Sequence, residues 1–188
     1  QHQNDIVFPF KRYQIQPVWR ADKPQKGRFR EFYQCDADVV GSSSLLYEVE
    51  LIQLYDKVFS ELKLPTIIKL NNRKILSGIA ELIGEEDKLI AITNAIDKLD
   101  ITNIDKVKEQ LRINGISNSA IDKLSPILTI EGDASYKLLT IRELLAESSI
   151  GTEGINEVQI IIDKIIDIGL ESAEIDFDIT LARGLNYY

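Results

Sequence analysis

The sequence predicts an α+β fold, in which an antiparallel sheet is followed by a helical module and then by a return to sheet. Three observations predict it. Residues 11–41 hold two segments of alternating polarity on either side of a basic turn. From about residue 45 to residue 170, apolar residues recur mostly at helical spacing. Ile175–Leu181 then alternates once more.

In chain order, Gln1–Phe10 carries the single histidine, His2, which receives no role. In Lys11–Ala21, Tyr13, Ile15, Pro17 and Trp19 share one face, and Arg12, Gln14, Gln16, Val18 and Arg20 the other. Pro24 and Gly27 mark a loop. In Glu31–Gly41, Tyr33, Cys35, Ala37 and Val39 oppose Phe32, Gln34, Asp36, Asp38 and Val40. The unit reads as a long hairpin whose apolar face packs, with Cys35 buried in that packing. The other face shows Arg20, Phe32, Gln34, Asp36 and Asp38. It is either a solvated sheet face or a platform for a flat, charged ligand. In the second reading Phe32 stacks, Arg20 meets an anion and Asp38 an ammonium.

Gly41-Ser-Ser-Ser44 lacks the Gly-Lys-Ser/Thr of a phosphate loop and reads as a serine-capped turn into a helix over about 45–63. Leu51, Leu54, Tyr55, Val58 and Leu62 form its expected apolar face, and Pro65 ends it. Thr66–Leu70 reads as a short buried strand, and Asn71-Asn72 as a turn and helix cap. Helices are expected over 73–83, 85–99, 103–114, 118–128 and 135–146, with a break at 148–154 and a further helix over 155–170. Ile-Asp-Lys-Leu occurs at 96–99 and 121–124, too little for a repeat. On the closing strand, Asp176 and Asp178 read as a solvated face rather than a metal pair. Arg183-Gly184 at its end reads as an ordinary turn or an anion site.

Composition narrows the classes. At 188 residues and 44% hydrophobic, the chain can bury a core. No apolar run approaches the ~20 residues of a membrane span, and no signal segment opens the chain. One cysteine and one histidine exclude a disulfide framework and a His/Cys zinc site, and suit a reducing, cytoplasmic setting. The chain has no methionine and stops inside a motif at Tyr188, which suggests an excerpt of a longer protein. The net charge of −8 is unevenly spread: residues 11–31 hold seven Lys/Arg against two Asp/Glu, a local +5 that leaves −13 elsewhere. A basic island on an acidic body suits a focused anion site such as a nucleotide phosphate.

The stretch Arg20-Ala-Asp22-Lys-Pro-Gln-Lys-Gly-Arg28-Phe-Arg-Glu-Phe32-Tyr-Gln34-Cys-Asp36-Ala-Asp38 resembles motif 2 of class II aminoacyl-tRNA synthetases, in the form used by histidyl-tRNA synthetases. Leu181-Ala-Arg183-Gly-Leu-Asn186-Tyr187-Tyr188 resembles that family's histidine motif, usually Arg-Gly-Leu-Asp-Tyr-Tyr. The segments 69–76 and 97–100 resemble it more loosely. The resemblance implies the antiparallel sheet of a class II catalytic domain, present in part, with a helical insertion: catalytic residues 1–71, insertion 72–147, catalytic residues 148–188.

It further implies a histidine–tRNA ligase that uses ATP, with Mg2+ on the ATP phosphates, to form histidyl-adenylate and pass histidine to tRNA(His). The full-length protein would be a cytoplasmic homodimer, and this piece inactive alone. By position, Arg20 and Arg183 would be catalytic at the α-phosphate. Arg20, Asp22, Arg28 and Phe32 would bind ATP, with Asp22 and Phe32 at the adenine and Arg28 at the terminal phosphates. Gln34, Asp38, Arg183, Tyr187 and Tyr188 would bind L-histidine. Asn186 departs from the usual Asp. The alternative is the synthetase-like, non-catalytic regulatory subunit of ATP phosphoribosyltransferase. Such a protein should have lost parts of this residue set, all of which is present here.

Overall fold

The computed structural model describes residues 5–99 and 102–182. Its elements are β1 (Phe10–Trp19), β2 (Glu31–Val40), α1 (Leu46–Glu61), β3 (Ile67–Leu70), α2 (Arg73–Ile83), a 3₁₀ turn (Glu86–Lys88), α3 (Leu89–Ile96), α4 (Ile104–Ile113), α5 (Asn118–Leu128), α6 (Ala134–Leu144), α7 (Ser149–Ile168) and β4 (Glu174–Phe177). The chain divides into two compact units, Gln1–Leu51 and Ile52–Tyr188. No helix of the described residues is long and apolar enough to cross a membrane.

In the first unit, β1 and β2 pair antiparallel, with Phe10 opposite Val40 and Trp19 opposite Glu31. The connecting loop closes in a tight turn at its tip, where Gln25 and Arg28 exchange backbone hydrogen bonds around Gly27 at φ 76. A side chain is disfavoured at that φ, so the glycine sets the turn. The expectation that the apolar face packs does not hold among the described residues. Tyr13, Tyr33 and Trp19 are 80%, 73% and 69% exposed, and Cys35 is exposed as well. A two-stranded ribbon has no layer of its own to cover that face. The polar face, with Phe32, Gln34, Asp36 and Asp38, is the half-buried one.

The second unit is built on a helical core. Ile75, Ile79, Ile92, Ile96, Leu111, Ile121, Leu124, Leu138, Ile141 and Ile155 meet in one cluster, which Phe177 joins from β4. Helical spacing predicts this directly, because residues three and four apart stack on one side. Asn72, Asn103, Ser117, Asp133 and Ser148 cap α2, α4, α5, α6 and α7 with their side-chain oxygens. Each satisfies a backbone N–H that the first turn leaves unpaired.

Several further expectations are corrected. The helix expected over 85–99 is a 3₁₀ turn followed by α3, because Glu85 turns inward to bind Lys88 and the N–H of Ser117. α1 does not bury Leu54, Tyr55, Val58 and Leu62, which are exposed. It buries Val49, Ile52 and the carboxylate of Asp56. Asp56 accepts backbone N–H groups from Glu171, Ser172 and Ala173, so it works as an anchor for the loop after α7. The break expected at 148–154 is absent: α7 begins at Ser149 and runs through Gly151 and Gly154. β3 is half exposed rather than buried, with Ile67 facing out.

β3 pairs with β4 in parallel, Ile67 opposite Glu174 and Leu70 opposite Phe177. The chain therefore leaves this pair, builds α2–α7, and returns beside its point of departure. β4 ends at Phe177, earlier than the expected Leu181, because Asp178 and Thr180 close a turn there.

Candidate functional site

The polar face of the hairpin is assembled by register. Arg12, Gln14, Gln16 and Val18 lie opposite Asp38, Asp36, Gln34 and Phe32, so all eight point to the same side. Arg20 follows directly, tied by its N–H to the carbonyl of Arg30 at 2.9 Å. Its guanidinium lies 4.9 Å from the centre of the Phe32 ring and donates to Gln34 Oε1 at 2.9 Å. Gln34 donates in turn to Asp36. Stacking holds the guanidinium plane and the amide fixes its direction. The Gln34 bond uses only one of its several N–H donors.

Asp38, expected to face an ammonium, is paired with Arg12 Nε at 2.7 Å. Both side chains are about half exposed. Such pairs in water contribute about 0.2–1 kcal/mol, so another cation can share or replace this one at small cost. In the loop, Asp22 and Arg28 pair with each other at 3.0 Å, and Arg30 donates to the Asp22 carbonyl at 3.2 Å. The structure thus brings Arg20, Phe32, Gln34 and Asp38 together on one face and Asp22 to Arg28 in the loop. Arg183, Tyr187 and Tyr188 lie outside the described residues.

Two basic residues escaped the sequence reading. Arg12 was legible only as a member of the face, and Arg30 only as loop charge. Their partners depend on register, and register cannot be counted from the turn tip. Ala21–Pro24 places four residues between Arg20 and Gln25, where Phe29 alone separates Arg28 from Arg30.

At the end of β4 the carboxylates are structural. Asp176 pairs with Lys137 at 2.7 Å. Burial alone would raise the Asp178 carboxyl, but Lys69 at 2.6 Å and the Thr180 hydroxyl and N–H hold it below its usual range. Among the described residues no group of three or more His, Cys, Asp or Glu is placed to hold a metal ion.

The model of the histidyl-tRNA synthetase family matches residues 8–188. The histidine–tRNA ligase of Christiangramia forsetii is 58% identical over 189 residues, covering all of this chain and 41% of that protein. That of Bacteroides fragilis is 57% identical over 187 residues, again covering all of the chain and 41% of the relative. A crystal structure of histidyl-tRNA synthetase from Nostoc sp. PCC 7120 superposes with a TM-score of 0.87 at 32% identity, over the whole chain and 44% of that structure. The chain thus spans about two fifths of the length of these relatives, which carry the ligase name and not that of the regulatory paralogue. A match over nearly every residue, on a mixed α and β framework whose hairpin displays the motif 2 side chains on one face, leads to one conclusion: the chain belongs to the histidyl-tRNA synthetase family.

Proposed function

We propose that the chain supplies the motif 2 hairpin, the helical insertion and the histidine motif of a cytoplasmic, homodimeric histidine–tRNA ligase. In this reading residues 1–71 and 148–188 belong to the catalytic body and 72–147 to the insertion. The carboxylate of L-histidine attacks the α-phosphorus of ATP, pyrophosphate leaves, and a terminal ribose hydroxyl of tRNA(His) then takes histidine from the adenylate and releases AMP. The nucleophile belongs to the substrate, so the protein must bring two anions together and stabilise charge at one phosphorus.

The observation that carries this reading is the Arg20 guanidinium, stacked on Phe32 and directed by Gln34, on the face that also bears Asp38. Ordering by its neighbours reduces the reorganisation needed when an oxyanion arrives. Arg20 and Arg183 act at the α-phosphate, and Asp22 and Phe32 hold the adenine. Arg28 leaves Asp22 for the terminal phosphates. Gln34, Asp38, Tyr187 and Tyr188 hold histidine, with Asp38 at its ammonium. Mg2+ would come bound to the nucleotide phosphates and offset part of their charge.

The test is single-turnover adenylate formation by the full-length protein carrying Arg20→Ala or Arg183→Ala, with circular dichroism to check folding. Loss of one preorganised donor should slow the step by about 10²–10³. Transfer from preformed adenylate to tRNA should fall less, because its leaving group is already activated. Folded variants within about threefold of wild type would overturn the assignment, since that is well short of a transition-state contact.

A further inference from the structure

Asn71 stands between β3 and α2 and serves neither as a strand residue nor as the helix cap. The cap is its neighbour Asn72, which accepts the N–H of Lys74 at 2.9 Å and donates to Glu157 at 2.7 Å. Asn71 turns the other way. Its Nδ2 donates to two carbonyls from the far end of the chain, Leu181 at 2.9 Å and Ile179 at 3.2 Å. Its Oδ1 accepts the N–H of Asn72 at 2.8 Å, which fixes the orientation of the amide.

The clamp closes on a turn already held from the same side. The N–H of Asp178 donates to the Leu70 carbonyl at 2.9 Å, extending the parallel pairing by one step. The Asp178 carboxylate pairs with Lys69 at 2.6 Å and caps Thr180. Ile179 and Ala182 are buried, so this stretch of backbone is fixed on both flanks of Thr180. The residue after Ala182 is Arg183.

We propose that Asn71 is a positioning residue for Arg183: by holding the carbonyls of 179 and 181 it sets the backbone that leads into the arginine. The proposal rests on the reading of Arg183 given above. A preorganised guanidinium is placed no better than the chain that carries it, and a displacement of ~1 Å can cost about 10²-fold in rate. The amide suits this task. It offers two donors in a fixed plane, so one side chain can bind alternate carbonyls of a bend.

The test is a double-mutant cycle in the full-length protein, read by single-turnover adenylate formation. Asn71→Asp keeps the shape and the acceptor but lacks both donors. Asn71→Ser is milder and carries the test if Asn71→Asp does not fold. A folded Asn71 variant is expected to form adenylate about 10- to 100-fold more slowly, with little change in the KM for ATP. In combination with Arg183→Ala it should add almost nothing, because both changes remove one placement. Asn72→Ala, which removes the neighbouring cap, should lower Tm without slowing adenylation. If Arg183→Ala is slow and the Asn71 variants match wild type, or the two effects add in full, the positioning role is wrong and the reading of Arg183 stands. If Arg183→Ala is itself as fast as wild type, that reading fails, and the positioning role falls with it.

Discussion

Arg20 is held by Phe32 and Gln34, and the same logic of a charge fixed by its neighbours recurs in the helical unit at Glu85. Glu85 is 7% exposed. Its carboxyl is lowered from 4.5 to about 2, first by the Lys88 ammonium at 2.6 Å and then by the Ser117 N–H at 2.9 Å. The folded state therefore binds this proton less readily than the unfolded state. The stabilisation is complete above pH 4.5, declines as the pH falls towards about 2, and is gone below that. Glu85→Gln should be less stable than wild type at neutral pH and lose less on acidification, so the two curves converge in acid. Urea denaturation across that range measures it, and parallel curves would show that Glu85 is not coupled to folding. At this scale the sequence displayed the residue types of the candidate face, because period 2 places alternate residues on one side. It did not display the pairings: Arg12 with Asp38 follows from a register that an asymmetric loop hides. Nor did it display inward-facing Glu85 and Asp56, which look like surface carboxylates until their N–H partners are known.

Among the elements, α2 and α7 show why a glycine-bearing stretch can be a helix and not a break. They run antiparallel, with Lys74 reaching Glu153 at 2.7 Å and Ser148 donating to Glu81. They touch through glycines. A Cβ at Gly78 would lie 2.6 Å from the Gly151 Cα, and one at Gly154 would lie 2.8 Å from the Lys74 Cβ and 2.9 Å from the Ile75 nitrogen. The sequence reading placed Gly151 and Gly154 in a break, whereas packing against α2 requires them to be small. In an isolated helix Gly→Ala gains about 1 kcal/mol. Gly154→Ala should instead destabilise the chain by about 1–3 kcal/mol, because backbone and Cβ atoms of α2 must move aside. Thermal or urea melts decide the sign, and a stabilised variant would mean that the two helices separate easily. The apolar stripe of α1 was misjudged for a related reason. Spacing shows that a helix has an apolar side, but not which side its own chain covers, and here Asp56 lies on the packed face.

On the scale of the whole molecule, seven of the 22 Lys and Arg residues lie between residues 11 and 31, in an otherwise acidic chain. The chain covers 44% of its solved relative from Nostoc, and we expect the isolated 188-residue polypeptide to support no histidine-dependent exchange of pyrophosphate into ATP. Exchange above background by the purified chain would show that the hairpin and histidine motif suffice. The class of fold was legible because each local period pointed to one element type. The parallel union of β3 with β4 was not, since four-residue strands carry little pattern and their partners lie far apart in sequence. That union has a consequence during synthesis. Ile67 leaves the ribosome roughly a hundred residues before Glu174, so at about 5–20 residues per second β3 waits on the order of 5–20 s for its partner. The helices between them can form in that interval from local contacts, while Ile67-Ile-Lys-Leu70 remains an unpaired apolar edge. A strand that waits with both edges bare is open to pairing with another chain until its own partner arrives.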